Sequence, residues 1–286
     1  MSQLFILAVD QRPWLTQELY GHSGPATSAQ RAFTTEAKHL VFEALAGVRD
    51  ECPPATTGIL VDAELGPGVP ERAKQAGITL AMPVEKAGQR LYQTEFTPLN
   101  TYIGHYEPDL IKVLVRYNPE DPDPDRTIQR ERLALVSEAA QAADRPFLFE
   151  LLVPPVEGEA ADQLFIDSRP ALTRQAMREI AADMNVDIWK LEPQGDLAGY
   201  QQAEATARDL GGRCVLLGAG RPLDDVLDWI RDAAAAGFMG FAVGRSLWWE
   251  AVSAFRDDPG TREAGAAQIG SRYLRCVRTF TEAARS

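Results

Sequence analysis

The stretch VDIWKLEP (186–193) is a short apolar run with a single lysine, Lys190, inside it. Near-continuous hydrophobicity is typical of strands that are covered on both faces, as in parallel sheets. Seven further apolar runs recur along the chain: LFILAVD (4–10), TGILVD (57–62), ITLAM (78–82), LIKVLVRY (110–117), PFLFELLV (146–153), CVLLGAG (214–220) and MGFAVG (239–244). We therefore predict eight strands.

Helical patterns of apolar residues separate most of these runs. No clean helix is predicted between 88 and 104, and YNPEDPDPDRT (117–127) is predicted to be a stiff surface loop because of its Pro and Asp content. The predicted helices cover 28–48, 129–143, 170–184, 197–210, 222–236, 247–255 and a final segment reaching about residue 284.

Eight strands that alternate with helices favour a (β/α)8 barrel over an open doubly wound sheet. The chain has 286 residues, and such barrels commonly use about 250 residues, so we expect one domain over residues 1–286. No GxGxxG follows the first strand and no GxxxxGK[ST] occurs. Both absences weaken the hypotheses of dinucleotide binding and of a P-loop.

Composition excludes several classes of partner. The formal net charge of −12 argues against nucleic acid and against an anionic membrane surface. Three widely spaced cysteines suggest neither a disulfide framework nor a metal knuckle. No stretch approaches the roughly 20 apolar residues of a membrane span. With no signal-peptide pattern at the start either, we expect a cytoplasmic protein.

Charged residues occur inside or at the ends of the apolar runs. Active sites of barrels lie at the carboxyl ends of the strands, and a charge in an apolar strand is costly unless it is paired or used. A single such charge fits a structural ion pair, whereas several on neighbouring strands predict a polar centre. The charges are Asp10, Asp62, Lys112, Glu150 and Lys190.

Two lysines on nearby strands suit one particular chemistry. A lysine must be neutral to attack a carbonyl, and burial or a second cation favours the neutral form. A carboxylate beside the pair can carry protons through carbinolamine and enamine steps. Lys190, Lys112 and Glu150 supply these parts. The alternative is a salt-bridge cluster without chemistry.

Glycine-bearing turns with a basic residue end the seventh and eighth runs. Loops at these places in barrels often bind phosphate through backbone N–H groups. The alternative is that the glycines only make tight turns. The candidate phosphate-binding residues are Gly218, Ala219, Gly220, Gly244 and Arg245.

The sequence predicts no metal cofactor. The histidines form no HxH or HxxxH group, although zinc sites need several imidazole ligands. Magnesium held by Asp10, Asp62 and Glu150 stays open as an alternative. The three histidines are His22, His39 and His105.

An ordered set of motifs resembles the class I tagatose-bisphosphate aldolase family. The match is better still to the related aldolase domain for 2-deoxy-5-keto-D-gluconate 6-phosphate of inositol catabolism. Matches weaken around 88–108 and after 255. The motifs are LAVDQR (7–12), ILVDAELG (59–66), VEKAG (84–88), LIKVLVRYNPEDP (110–122), PFLFELLVPP (146–155), VDIWKLEPQ (186–194), LLGAG (216–220) and GFAVGRSLWW (240–249).

The resemblance implies a (β/α)8 barrel in which Lys190 forms the Schiff base. It also implies functional roles for Lys112, Glu150 and Asp10. Asp10 is the candidate residue for the hydroxyl group on the departing carbon. No cofactor besides the lysine imine is implied. Tagatose-bisphosphate enzymes tend to carry a serine where this chain has Gly218, which weakens the expectation of a second phosphate site.

The substrate implied is a small phosphorylated sugar, with 2-deoxy-5-keto-D-gluconate 6-phosphate preferred. Its cleavage yields dihydroxyacetone phosphate and malonate semialdehyde. Tagatose 1,6-bisphosphate and sulfofructose phosphate stay open, as do a non-catalytic sugar-phosphate binder, a metal-dependent lyase and a homo-oligomer. The arginines available for a carboxylate, sulfonate or phosphate are Arg12, Arg116, Arg221 and Arg245.

Overall fold

Eight parallel strands form a closed barrel in the computed structural model, which describes residues 3–21, 24–54 and 56–285. The strands follow one another around the barrel in chain order, and the first pairs with the last. This confirms the predicted (β/α)8 fold. The strands are β1 Leu4–Ala8, β2 Thr57–Leu60, β3 Thr79–Pro83, β4 Leu110–Arg116, β5 Phe147–Leu152, β6 Ile188–Leu191, β7 Arg213–Leu217 and β8 Gly240–Val243.

Ten α-helices lie within the described ranges. Helix α2 has the bounds that the sequence predicts, whereas the short helices α1, α3 and α4 were not predicted. The helices are α1 Pro13–Tyr20, α2 Ser28–Val48, α3 Val69–Gln75, α4 Leu99–Tyr106, α5 Asp123–Ala142, α6 Gln163–Ala181, α7 Leu197–Asp209, α8 Leu223–Ala235, α9 Arg245–Asp257 and α10 Arg262–Ala283.

Two helices, α5 and α6, begin six and seven residues earlier than predicted. Helix α6 starts at Gln163 because Asp162 accepts a hydrogen bond from the Phe165 backbone N–H and caps the first turn, so that Pro170 lies inside the helix. Helix α5 starts at Asp123, within the stretch predicted to be a loop. Acidic residues in its first turn suit the positive end of the helix dipole.

The barrel interior has its own apolar layer, separate from the larger core between strands and helices. Side chains alternate along a strand, so Glu150 faces the interior like Leu148. Lys112 follows Leu110 in the same way, and the pairing register sets Glu150 opposite Lys190. The interior layer comprises Leu4, Ile6, Ala8, Leu60, Ala81, Leu110, Leu148, Ile188, Val215, Met239 and Ala242.

The last helix covers the seam between the first and last strands. Its apolar positions Ile269, Tyr273, Val277 and Phe280 are buried. The Tyr273 hydroxyl donates to the Phe5 carbonyl at 2.8 Å. Helix α10 also packs against α2, α8 and α9. None of the helices within the described part of the chain is long and apolar enough to cross a membrane.

Candidate active site

A cavity of about 710 Å³ opens at the carboxyl ends of the strands. It brings together residues from the turns after nearly every strand. Its charged lining residues, in chain order, are Asp10, Arg12, Glu85, Lys86, Lys112, Arg116, Glu150, Lys190, Glu192 and Arg245.

Lys112 lies at the centre of the cluster and is fully buried. Its Nζ is 2.6 Å from Asp10 Oδ2, 3.0 Å from Glu85 Oε1 and 3.1 Å from Glu150 Oε2. Glu150 links the two lysines, because its other oxygen is 2.9 Å from Lys190 Nζ. The two predicted lysines and the two predicted acids therefore meet in one cavity.

The cluster fixes the charge of two of its members. Burial alone would raise the pKa of Asp10, but the ammonium groups of Lys112 and Lys190 outweigh it and hold that pKa below the ordinary 3.8. Burial alone would lower the pKa of Lys112, but the surrounding carboxylates outweigh it and raise that pKa above the ordinary 10.5. Lys112 is therefore a cation, and Asp10 a carboxylate, throughout the neutral range.

Glu85 is a member of the cluster that the sequence prediction missed. Its Oε1 accepts from Lys112, and Arg12 Nη2 donates to its backbone carbonyl at 2.8 Å. Burial raises the pKa of Glu85, despite the opposing effects of Lys112 and Arg12. The available signal was its place in VEKAG, directly after the third strand. Glu192 was also missed; it lines the cavity and pairs with Arg169 at 3.1 Å.

The glycine turns form the opposite wall of the cavity. A Cβ on Gly244 would lie 2.3 Å from the Ala8 carbonyl oxygen, so only glycine fits there. Gly220 has a φ of +69°, and a Cβ on it would lie 2.5 Å from the Arg245 guanidinium carbon. Arg245 stacks on Trp14, with its guanidinium carbon 4.5 Å from the ring centroid. Gly218 and Ala219 line the same wall.

Of the four remaining candidate residues, two line the cavity and two lie outside it. Arg116 is exposed at the cavity mouth. Arg12 is buried against Glu85 and already paired. Asp62 does not line the cavity: its carboxylate accepts from Lys38 and from the Leu65 backbone N–H. Arg221, which pairs with Asp225 at 3.2 Å, also lies outside the lining.

No group of three His, Cys, Asp or Glu side chains in the described ranges is arranged to hold a metal ion. Three of the four carboxylates that line the cavity, those of Asp10, Glu85 and Glu150, surround the Lys112 ammonium instead. His39 Nε2 donates to the Pro67 carbonyl and its Nδ1 accepts from Arg72, away from the cavity. His22 lies outside the described residues.

Several solved structures share the barrel. The fructose-bisphosphate aldolase of Plasmodium falciparum, in complex with TRAP and an inhibitor, is 12% identical with a TM-score of 0.71 over 98% of this chain and 91% of its own. An archaeal fructose-1,6-bisphosphate aldolase, whose catalytic lysine carries the carbinolamine intermediate, is 16% identical with a TM-score of 0.60 over 94% of each chain. The Cgl0159 protein of Corynebacterium glutamicum is 19% identical with a TM-score of 0.62 over 97% and 86%.

At these identities the similarities establish the fold and not the activity. No curated protein sequence matches the chain significantly. The family model described as "Uncharacterized protein conserved in bacteria (DUF2090)" matches residues 1–284, and the chain therefore belongs to this bacterial family.

Proposed function

We propose that the chain is a class I aldolase, a carbon–carbon lyase that forms an imine between Lys190 and a phosphorylated keto sugar or sugar acid. The observation that carries the proposal is the position of Lys190 Nζ in the cavity wall, 2.9 Å from Glu150. A buried amine beside an acid provides both the nucleophile and the proton carrier of this chemistry. The archaeal neighbour with a lysine-bound carbinolamine supports the same use of the fold.

In the proposed mechanism, Lys190 attacks the substrate ketone, and the resulting carbinolamine loses water to give the imine. The imine accepts electrons from the adjacent carbon–carbon bond. The bond between the carbon next to the imine and the hydroxyl-bearing carbon therefore breaks, and an enamine forms. Glu150 carries protons at each step because it contacts Lys190 directly. Lys112 stays a cation and, through its ion pair with Glu150, holds that carboxylate beside Lys190. Asp10 positions Lys112, since a carboxylate with a lowered pKa is a weak proton acceptor.

The preferred substrate is 2-deoxy-5-keto-D-gluconate 6-phosphate, cleaved to dihydroxyacetone phosphate and malonate semialdehyde. We place its phosphate on the glycine turns beside Arg245, and its carboxylate near Arg116. In a closed barrel of eight strands, β4 and β8 lie across the axis from each other, so these two arginines approach the substrate from opposite sides. The resemblance of the strand-end motifs supports this choice, and the lysine imine needs no metal.

Borohydride trapping tests the imine directly. We expect dihydroxyacetone phosphate and borohydride to add a stable label to the peptide that contains Lys190, and Lys190→Met to abolish the label. Lys86→Met is the matched control, because Lys86 also lines the cavity but makes no ion pair within the described ranges. A label that persists in Lys190→Met would refute the assignment.

A panel of phosphorylated keto sugars then separates the substrates. Release of dihydroxyacetone phosphate from 2-deoxy-5-keto-D-gluconate 6-phosphate supports the preferred substrate. Faster release from tagatose 1,6-bisphosphate, or cleavage of sulfofructose phosphate to a different three-carbon product, would replace it. Binding of these compounds without turnover would indicate a non-catalytic sugar-phosphate protein instead.

A further inference from the structure

A chain of close charged contacts leads from Lys190 to Glu85, made of two ion pairs and one hydrogen bond. Lys190 Nζ lies 2.9 Å from Glu150 Oε1, and Glu150 Oε2 lies 3.1 Å from Lys112 Nζ. Lys112 Nζ in turn lies 3.0 Å from Glu85 Oε1. All four side chains are buried. All three nitrogen–oxygen distances fall within hydrogen-bonding range, so a rotation of the Glu150 carboxyl group is enough to align it with either lysine for proton transfer.

Glu85 lies at the end of this chain that is farthest from Lys190. Only 7% of the residue is exposed, and its Oε2 finds no hydrogen-bond partner among the described residues. A buried oxygen without a partner is costly for a carboxylate and much less so for a carboxylic acid that carries a proton. The charged groups facing Glu85 are Arg12, Asp10 and Lys112, and the phenols of two tyrosines, Tyr92 and Tyr102, lie near it.

The charge balance of the cluster requires such a proton acceptor. With every group ionised, three carboxylates balance three cations: Asp10, Glu85 and Glu150 against Arg12, Lys112 and Lys190. When the amine becomes neutral for attack, one negative charge is left unbalanced in a buried site. Protonation of one carboxylate restores neutrality.

We propose that Glu85 stores the proton that Lys190 gives up before attack and returns it when the carbinolamine loses its hydroxyl. The inference rests on the proposed imine chemistry of Lys190. Glu85 acts through Lys112 and Glu150 and is therefore a positioning residue for the proton. The raised pKa of Glu85, caused by burial, agrees with this role.

The proton transfers balance at each step. The Lys190 ammonium gives its proton to Glu150, which turns its carboxyl group and passes a proton to Lys112 as Lys112 donates one to Glu85. The neutral amine then attacks the ketone carbon, and the new carbinolamine carries the former ketone oxygen as a hydroxyl. The stored proton returns along the same chain and leaves with that hydroxyl as water. No proton needs to enter from solvent.

The test measures imine formation in rapid-mixing experiments with dihydroxyacetone phosphate, quenched with borohydride and read by intact mass. We expect the wild-type rate to be independent of buffer concentration at fixed pH and ionic strength, with a flat pH profile near neutrality. In Glu85→Gln the amide cannot take a proton, so we expect trapping to be roughly 100-fold slower at low buffer. Formate, acetate or imidazole should then accelerate it in proportion to concentration.

Two further variants separate proton storage from a structural role. Glu85→Asp keeps an acid and should stay independent of buffer. Glu192→Gln removes another carboxyl group that lines the cavity, partly exposed and outside this chain of contacts, and it should also show no acceleration by buffer.

Each outcome decides the matter. If trapping in Glu85→Gln is slow and buffer does not accelerate it, the role of Glu85 is structural. If the wild-type trapping rate rises with buffer concentration, the inference is overturned even when the variant fails to fold. If the wild type is labelled at Lys190 and Glu85→Gln behaves identically, proton storage on Glu85 is refuted while the proposed imine chemistry stands. A wild type without any label at Lys190 would remove the proposed function and this inference together.

Discussion

Replacement of Lys112 by methionine gives the sharpest test of the charge cluster. Lys112→Met keeps a side chain of similar length but removes the ammonium group that contacts Asp10, Glu85 and Glu150. Asp10 loses its ion pair with Lys112, whereas Glu150 keeps its ion pair with Lys190. The variant therefore leaves buried carboxylates without their cation and creates no large cavity.

The expected cost follows from these contacts. Removing one partner of a buried ion pair costs about 3–5 kcal/mol, because the other charge remains buried. The methionine side chain recovers roughly 1–2 kcal/mol through apolar burial. Glu85 limits the loss further, since its raised pKa makes protonation easy. We expect the free energy of unfolding at pH 7 to fall by about 3 kcal/mol.

The loss should depend on pH with a definite sign. In the wild type, the lowered pKa of Asp10 contributes stability that is present above the ordinary value of 3.8 and disappears as the pH falls through the folded-state value. Lys112→Met removes that contribution. The difference between wild type and variant should therefore be largest near neutrality and shrink as the pH falls below about 4.

Urea unfolding at pH 7 and at pH 2.5, followed by circular dichroism, measures both quantities. Lys38→Met is the matched control: Lys38 is equally buried but pairs with one carboxylate, Asp62, outside the cavity. A loss below about 1 kcal/mol at pH 7, or an equal loss at both pH values, would refute the electrostatic account of the cluster.

Three other substitutions test separate parts of the structure. Gly244→Ala places a Cβ 2.3 Å from the Ala8 carbonyl and should destabilise the barrel by about 1–3 kcal/mol in thermal unfolding. Tyr273→Phe removes the 2.8 Å hydrogen bond to the Phe5 carbonyl and should cost about 1–2 kcal/mol in the same assay. Arg116→Met should raise the KM for a carboxylate-bearing substrate roughly tenfold, with little change in kcat, in steady-state kinetics.

Each of these expectations has a clear contrary result. An unchanged melting temperature for Gly244→Ala would mean that the turn after β8 relaxes freely. Wild-type stability of Tyr273→Phe would mean that the Phe5 carbonyl finds another donor. A fall in kcat at constant KM for Arg116→Met would place that guanidinium at the reacting atoms instead of at the substrate's far end.

The sequence predicts most of the barrel because burial on both faces leaves a continuous apolar signal. Side-chain alternation then places Lys112, Glu150 and Lys190 on the interior side without any knowledge of tertiary contacts. This parity argument works only while the backbone stays in a strand. Strand β2 ends at Leu60, and Asp62, two residues later, bonds Lys38 instead of facing the cavity.

Strand alternation also fails to predict the orientation of Glu85. It follows Pro83, the last residue of β3, so alternation does not determine where its side chain points. Its position depends on Arg12 and Lys112, which are 73 and 27 residues away in sequence. The short helices α1 and α3 escaped prediction because seven or eight residues carry too little apolar periodicity.

The pairing of β1 with β8 has a consequence for how the protein is made. Leu4 pairs with Gly240, so the edge of β1 that pairs with β8 stays unpaired until about 240 further residues have been synthesised. At about 5–20 residues per second, that interval lasts roughly 12–50 s. An apolar strand with an unpaired edge is prone to aggregation during that time.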